Sequence, residues 1–455
     1  MKHLPPFVTY APAMRFLAVI LGLAVGVQAA EPFRIQIVDR ENGWPVPLVE
    51  LQTTHQEKFV TDNLGMVAIS DPELQDHEIW LSLKSHGYGL KPDGLGYQGF
   101  RCTPEAGKHL RVEIDRQIIA KRLGRLTGAG LYSNSPKPLI PESGIMGCDS
   151  VLVAPYHGKL FWLWGDTSMP GYPLGIFDSS AATTPLHPLK KFEAPLALEF
   201  DLYRDKNGKP RGVAPMTGDG PTWLSAIVSL PDKSGREHLV ATYSKIKNSL
   251  SEYEVGLCVW DDPSEQFKPY RVLWKEGDAM PDLIPRGHPV LFKDMLLLGD
   301  PFPTFQCPAT FEGWSDASSW KKIEPPKAPV SAENGKPVPA HRGSVAWNAY
   351  RDRWITIYTQ NGGDSSYLGE IWYAEATSPL GPWGPATKVL SHDNYTFYNP
   401  LLHAELVPEK APYILFEGTY TTTFAKNPVP TAKYDYNQIM YRLDLDDPKL
   451  KGSEN

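Results

Sequence analysis

Apolar residues in this chain fall into short runs broken by polar turns, with almost none of the spacing of an amphipathic helix. From Asp149 to Tyr420 the runs come in pairs. A polar residue opens an apolar strand, a tight polar turn follows, and a second strand richer in aromatic or aliphatic side chains returns. The second strands read FWLWGDT from Phe161, HLVATYS from His238, MLLLGDP from Met295, WITIYTQ from Trp354 and YILFEGT from Tyr413, with starts 77, 57, 59 and 59 residues apart. A repeat of this length built of strands predicts a β-propeller of five blades over residues 145–450. The long first interval predicts an insertion in blade one from about Leu186 to Met216. A propeller gathers the entry residues of its inner strands around one central mouth, so the repeat says where chemistry belongs.

Ahead of the repeat, FRIQIVD, PLVELQT, MVAISD, IWLSLKS and LRVEIDR alternate apolar and polar residues between turn clusters. That alternation predicts an antiparallel β-sandwich over 31–115. Residues 116–144 read as a linker, basic at RQIIAKRLGRL and turn-rich at SNSPKPLIPESG, with 126–133 placed to add a strand to the last blade and close the ring. The expected fold is all-β: an N-terminal β-sandwich followed by a five-bladed β-propeller. The pattern Asp39, Gly43, Pro45-Val46-Pro47-Leu48-Val49, then Thr61-Asp62 and Gly65, resembles the transthyretin-like (carboxypeptidase-regulatory-like) sandwiches. The resemblance implies turn positions for the glycines and Asp62, and no chemistry.

Composition narrows the setting. The 44 Pro and 38 Gly favour short strands and many turns over helix bundles. At the N-terminus Met14-Arg15 leads into FLAVILGLAVGVQAA, where Val27 and Ala29 satisfy the small-residue rule for a signal peptide of residues 1–29. A retained anchor is the competing interpretation. Export predicts a secreted protein, periplasmic or extracellular, with no membrane insertion after cleavage. The formal charge of −7 becomes −9 when Lys2 and Arg15 leave with that segment, which argues against nucleic-acid or anionic-membrane partners. Cys102, Cys148, Cys258 and Cys307 lack the spacing of a zinc site, and both disulfides and buried thiols are open. No Ser-His-Asp order, phosphate loop or HExxH is present.

The strand entries supply the candidate chemistry: Asp149 in blade one, Asp219 and Thr222 in blade two, Arg286 and His288 in blade three, His341 and Arg342 in blade four, Asn399 and His403 in blade five. Counting back from the turn at His157-Gly158-Lys159 sets Asp149 nearly opposite Asp166. Opposite positions on adjacent strands stand about 4.5–5.5 Å apart at Cβ. Two carboxylates that close raise one another's proton affinity, the arrangement with which glycosidases keep one acid protonated. Alternatively Asp166 caps a turn through Thr167. Asp149-Ser150, Gly158-Lys159 and Trp164-Gly165-Asp166-Thr167 resemble the opening of DUF4185-type five-bladed propellers, and more distantly the furanosidase and fructosidase clan of glycosidases. That resemblance implies a nucleophile or general base at Asp149 and an acid partner at Asp166.

Glu370 is a candidate third acid and Glu254 its competitor, while Asp300 and Glu417 occupy the places in their blades that Asp166 has in blade one. His288, Arg342, Asn399 and His403 are candidates for binding sugar hydroxyls or an acidic group, and Trp164 for offering a flat face to a ring. The expected function is a secreted glycoside hydrolase acting on a poly- or oligosaccharide. A non-catalytic glycan-binding propeller is one alternative. A polysaccharide lyase is another, with His288 or His403 as base and Arg342 neutralising a uronate. No cofactor is required, and a structural cation in the propeller channel stays open.

Overall fold

The computed structural model describes residues 31–127, 144–186, 193–195, 198–247 and 250–453, so the expected signal segment lies outside the described residues. Five four-stranded antiparallel sheets follow one another along the chain. Blade one consists of Val151–Tyr156, Lys159–Trp164, Ser180–Pro185 and Asp201–Leu202, and blade two of Thr222–Pro231, Glu237–Lys247, Ser251–Asp261 and Gln266–Lys275. Blade three is His288–Phe292, Met295–Gly299, Pro303–Pro308 and Lys321–Lys322, and blade four Ala340–Asn348, Arg353–Gln360, Glu370–Ala376 and Thr387–Ser391. Blade five joins Thr396–Leu402, Tyr413–Thr421 and Asn437–Asp444 to Lys121–Arg125 from the N-terminal side of the chain. Each first strand packs beside the next, and the first meets the fifth, so the ring is closed.

Burial explains why the second strands are apolar on both faces. Each blade is covered by a neighbour on either side, and Tyr413–Thr421 is buried at every position. In Lys159–Trp164, Phe161 and Leu163 face blade two, packing with Leu239, Ala241 and Cys258. The alternate residues Leu160, Trp162 and Trp164 face blade five, against Leu415 and Met440. All four cysteines are free thiols.

The long first interval has two sources. Between its second and third strands blade one carries Thr167–Met169 and Tyr172–Ile176, which form a small sheet with Gly147–Cys148 from ahead of the blade. The expected insertion from Leu186 to Met216 contains the blade's own fourth strand, Asp201–Leu202.

Two further four-stranded sheets precede the ring, ordered 66–69, 33–39, 109–116, 88–89 and 58–60, 50–53, 79–84, 99–102. They share one apolar core containing Ile35, Leu51, Leu81 and Ile114. The pairing is not wholly antiparallel as expected, because Phe33–Asp39 runs parallel to His109–Arg116.

The ring-closing strand is Lys121–Arg125, which pairs antiparallel with Asn437–Asp444, rather than the expected 126–133, of which 128–133 lie outside the described residues. The basic run KRLGR disguised it, since Arg122 and Arg125 are only 2% and 5% exposed. Arg122 ties the ring to the two-sheet unit. Its Nη1 donates to Pro47 O at 2.9 Å, Leu48 O at 3.2 Å and Ser85 Oγ at 3.1 Å, while Nη2 donates to His86 O. Its Nε donates to Tyr441 Oη in blade five at 2.9 Å. Nearby, Asn63 exchanges a pair of 3.0 Å bonds with the Arg125 backbone, and Tyr434 Oη donates to Thr61 O at 2.8 Å. Arg122→Met should strand several buried acceptors and destabilise the chain by about 3 kcal/mol or more. Urea unfolding checks this, and a loss below about 1 kcal/mol would show that the tie is dispensable.

Candidate functional site

Asp149 stands at the step into the first strand of blade one and Asp166 at the step out of the second. The Asp149 N–H donates to Asp166 O at 3.1 Å, and the Gly165 N–H donates to Asp149 O at 2.9 Å, so the backbone ladder itself holds the two acids side by side. Gly165 makes room for this arrangement: a Cβ there would lie 2.2 Å from Asp149 Oδ1, so the carboxylate would have to move. The turn into the strand is strained, with Ser150 at φ 44° and Asn399, opposite it in blade five, at φ 50°. Blade five pins it. Asn399 Nδ2 donates to Ser150 Oγ at 2.6 Å, and the Ser150 N–H donates to Thr419 Oγ1 at 2.9 Å.

Both carboxylates are half-buried at the mouth. Burial raises the Asp149 pKa, although Tyr398 Oη donates to Oδ2 at 2.7 Å, Tyr436 donates a further hydrogen bond and Arg342 contributes positive charge. Asp166 is pushed up to about 7, by burial first and the Asp149 charge second, while a hydrogen bond from Trp223 Nε1 at 3.1 Å works against the rise. Asp178 adds a smaller push on Asp166 and is itself raised to about 6 by burial, against hydrogen bonds from the Ser179 and Thr222 N–H groups at 3.1 Å and the charge of Lys245. Asp300 in blade three is raised to about 6 by burial, against the charge of Arg342, whose Nε lies 3.4 Å from Oδ2, and a 3.0 Å bond from the Gly343 N–H. Every blade thus supplies a side chain to one mouth, with one acid that keeps its proton near neutrality beside another well furnished with donors.

The other expected site residues divide. The Arg342 side chain is 53% exposed and reachable from solvent. Asn399 is buried, with its Nδ2 donating to Ser150 Oγ at 2.6 Å. His288 is buried and held neutral, its pKa lowered to about 4 by burial and then by Arg342 and His403.

Three expectations need correction. Trp164 is 1% exposed in the core between blades one and five, stacked on Trp162 and edge-on to Phe200, so it offers no face to a sugar. His403 follows the far end of Thr396–Leu402, roughly 15 Å along the strand from Tyr398. It is fully buried with Nε2 2.7 Å from Glu417 Oε1, so neither side chain is open to a ligand. Glu370 is not joined to the Asp149 cluster, since its carboxylate accepts from the Ser365 N–H at 2.9 Å and from Lys388 Nζ at 3.2 Å. Its competitor Glu254 is likewise occupied, by Tyr243 Oη at 2.7 Å and Lys275 Nζ at 3.0 Å.

Tyr436 and Asp178 were not expected at the site. Neither has a local signal: one follows a turn in blade five and the other ends the small sheet. Among the described residues no group of three or more His, Cys, Asp or Glu side chains is arranged to hold a metal ion.

No protein-family model and no curated protein sequence matches this chain. Solved structures do resemble it distantly. The catalytic domain of the GH62 α-L-arabinofuranosidase of Coprinopsis cinerea is 11% identical, with a TM-score of 0.39, over 72% of this chain and 97% of that one. The exo-β-1,3-galactanase of Phanerochaete chrysosporium is 10% identical, with a TM-score of 0.38, over 66% of this chain and 61% of that one. A GH43 β-xylosidase/α-arabinofuranosidase from a compost metagenome is 14% identical, with a TM-score of 0.37, over 68% of this chain and 93% of that one. At such likeness the architecture stands on the chain's own five sheets and the chemistry on its own residues.

Asp149→Asn should lower the Asp166 pKa from about 7 by removing a neighbouring negative charge. Burial remains, so the value should stay above the ordinary carboxylate range near 4. Carboxyl carbon-13 NMR titration of Asp166 in both proteins checks this, and an unmoved midpoint would show that the two acids do not sense one another.

Proposed function

We propose that this chain is an exported glycoside hydrolase acting on a poly- or oligosaccharide, with Asp149 as nucleophile or general base and Asp166 as general acid. The supporting observation is the coupled pair itself, in which Asp166 is raised to about 7 partly by the charge of Asp149. A protonated Asp166 gives its proton to the glycosidic oxygen as the bond to the leaving sugar breaks. Asp149, oriented by Tyr398 and Tyr436, attacks the anomeric carbon or takes a proton from the attacking water. Arg342 lends positive charge that favours the ionised form of Asp149. The apolar segment ending at Val27-Gln28-Ala29 supports export. A lyase is less well supported, because both histidines available as its base are buried.

Digestion of galactan, arabinan, xylan and related glycans tests the assignment. Asp149→Asn and Asp166→Asn should each lower kcat/KM by about 10²–10⁴-fold. The wild-type kcat/KM should fall as pH rises through about 7, where Asp166 loses its proton, and Asp166→Asn should lack that limb. Full hydrolytic rate in Asp149→Asn would overturn the proposal.

A further inference from the structure

Each acid of the pair is bonded to an aromatic ring that in turn carries a second, exposed aromatic. On the blade-two side Trp223, which donates to Asp166, is edge-on to Phe177 at 6.4 Å. On the blade-five side Tyr398, which donates to Asp149, is edge-on to Phe424 at 6.1 Å. Blade one lies between blades two and five in the ring, so Trp223 and Tyr398, each carrying its phenylalanine, reach the acids from opposite sides. Phe177 is 42% exposed and Phe424 65%. Phe424 also sits at φ 65°, a left-handed conformation that a bulky side chain rarely adopts. An exposed phenyl ring held in a strained backbone adds little to folding, and such strain gathers at ligand sites.

The charges around the mouth narrow the ligand. Asp149, Asp166, Asp178 and Asp300 stand against Lys245 and Arg342. Lys245 Nζ already donates to Gly220 O at 2.7 Å, and Arg342 is paired with Asp300. A uronate or sulfated sugar would meet mostly acids. A neutral sugar presents a C–H face to a phenyl ring and hydroxyls to the carboxylates.

We propose that Phe177 and Phe424 are the two walls of a cleft that binds a neutral oligosaccharide of at least two rings, one on each side of the bond above Asp149 and Asp166. The cleft rests on the hydrolase assignment for the position of that bond, and on the two aromatic pairs for its walls.

Calorimetric titration of Asp166→Asn, which separates binding from turnover, should show binding of a neutral tetrasaccharide of the galactan, arabinan or xylan series and at least tenfold weaker binding of tetragalacturonate. Adding Phe177→Ala or Phe424→Gly should weaken neutral binding tenfold or more. In the otherwise wild-type chain the same changes should raise KM for the tetrasaccharide more than for an aryl monoglycoside. Phe424→Gly relieves the backbone, so its Tm should not fall, whereas a structural phenylalanine would lower it. Binding that depends on both phenylalanines without hydrolysis by the wild type sinks the hydrolase assignment and keeps the cleft. Asp149-dependent hydrolysis with unchanged KM and affinity in both variants sinks the cleft and keeps the hydrolase. Tighter binding of tetragalacturonate, or binding of no neutral tetrasaccharide, overturns the ligand class.

Discussion

The buried guanidinium of Arg122 is the contact on which the rest of this structure hangs. A charge removed from water must be met on all sides, and Arg122 is met by backbone carbonyls of the two-sheet unit and by Tyr441 of blade five. It belongs to the strand that completes blade five, so satisfying it and closing the ring are one event. The neighbouring strand then positions the site. Asn437 Nδ2 donates to Met146 O at 2.9 Å and Gln438 Nε2 donates to Cys148 O at 3.1 Å, fixing the backbone that delivers Asp149. The N-terminal unit is therefore part of the architecture that aims the acid pair.

Closure also explains how acids with raised pKa values persist. Asp149, Asp166, Asp178 and Asp300 each disfavour ionisation where they stand, because burial penalises the charged form. Their ionised forms weaken the fold as pH rises from the ordinary carboxylate range through the raised values. The propeller offsets this with blades packed on both faces, and with phenol, indole and backbone N–H donors preset at the mouth. Such donors cost little reorganisation when charge develops on a reacting group.

The repeat was legible because second strands buried on both sides must be apolar throughout, which a sequence displays directly. The Asp149–Asp166 neighbourhood was legible because a tight hairpin makes register a matter of counting. Trp164 was misassigned although the clue lay in parity: in Phe161-Trp162-Leu163-Trp164 it shares a face with Trp162, and both turn toward blade five. His403 was misassigned because an entry residue and an exit residue of the same strand look alike until the strand's ends are known. Lys121–Arg125 escaped because arginines buried by carbonyls read as a solvated linker. Tyr436, Asp178 and Phe424 had no local signal, since long-range closure and loop geometry bring them to the mouth.

Gly165 links the two levels most tightly. Its absent Cβ is the volume that Asp149 Oδ1 occupies, at 2.2 Å from where the methyl would be. The glycine is thus set by a neighbour's carboxylate rather than by a turn, and its conformation is not in the left-handed region. Trp164-Gly165-Asp166 then has three distinct duties in three consecutive residues. The tryptophan fills the core, the glycine admits one acid, and the aspartate supplies the other. A motif that looks like an ordinary strand ending is the place where packing, space and proton affinity meet.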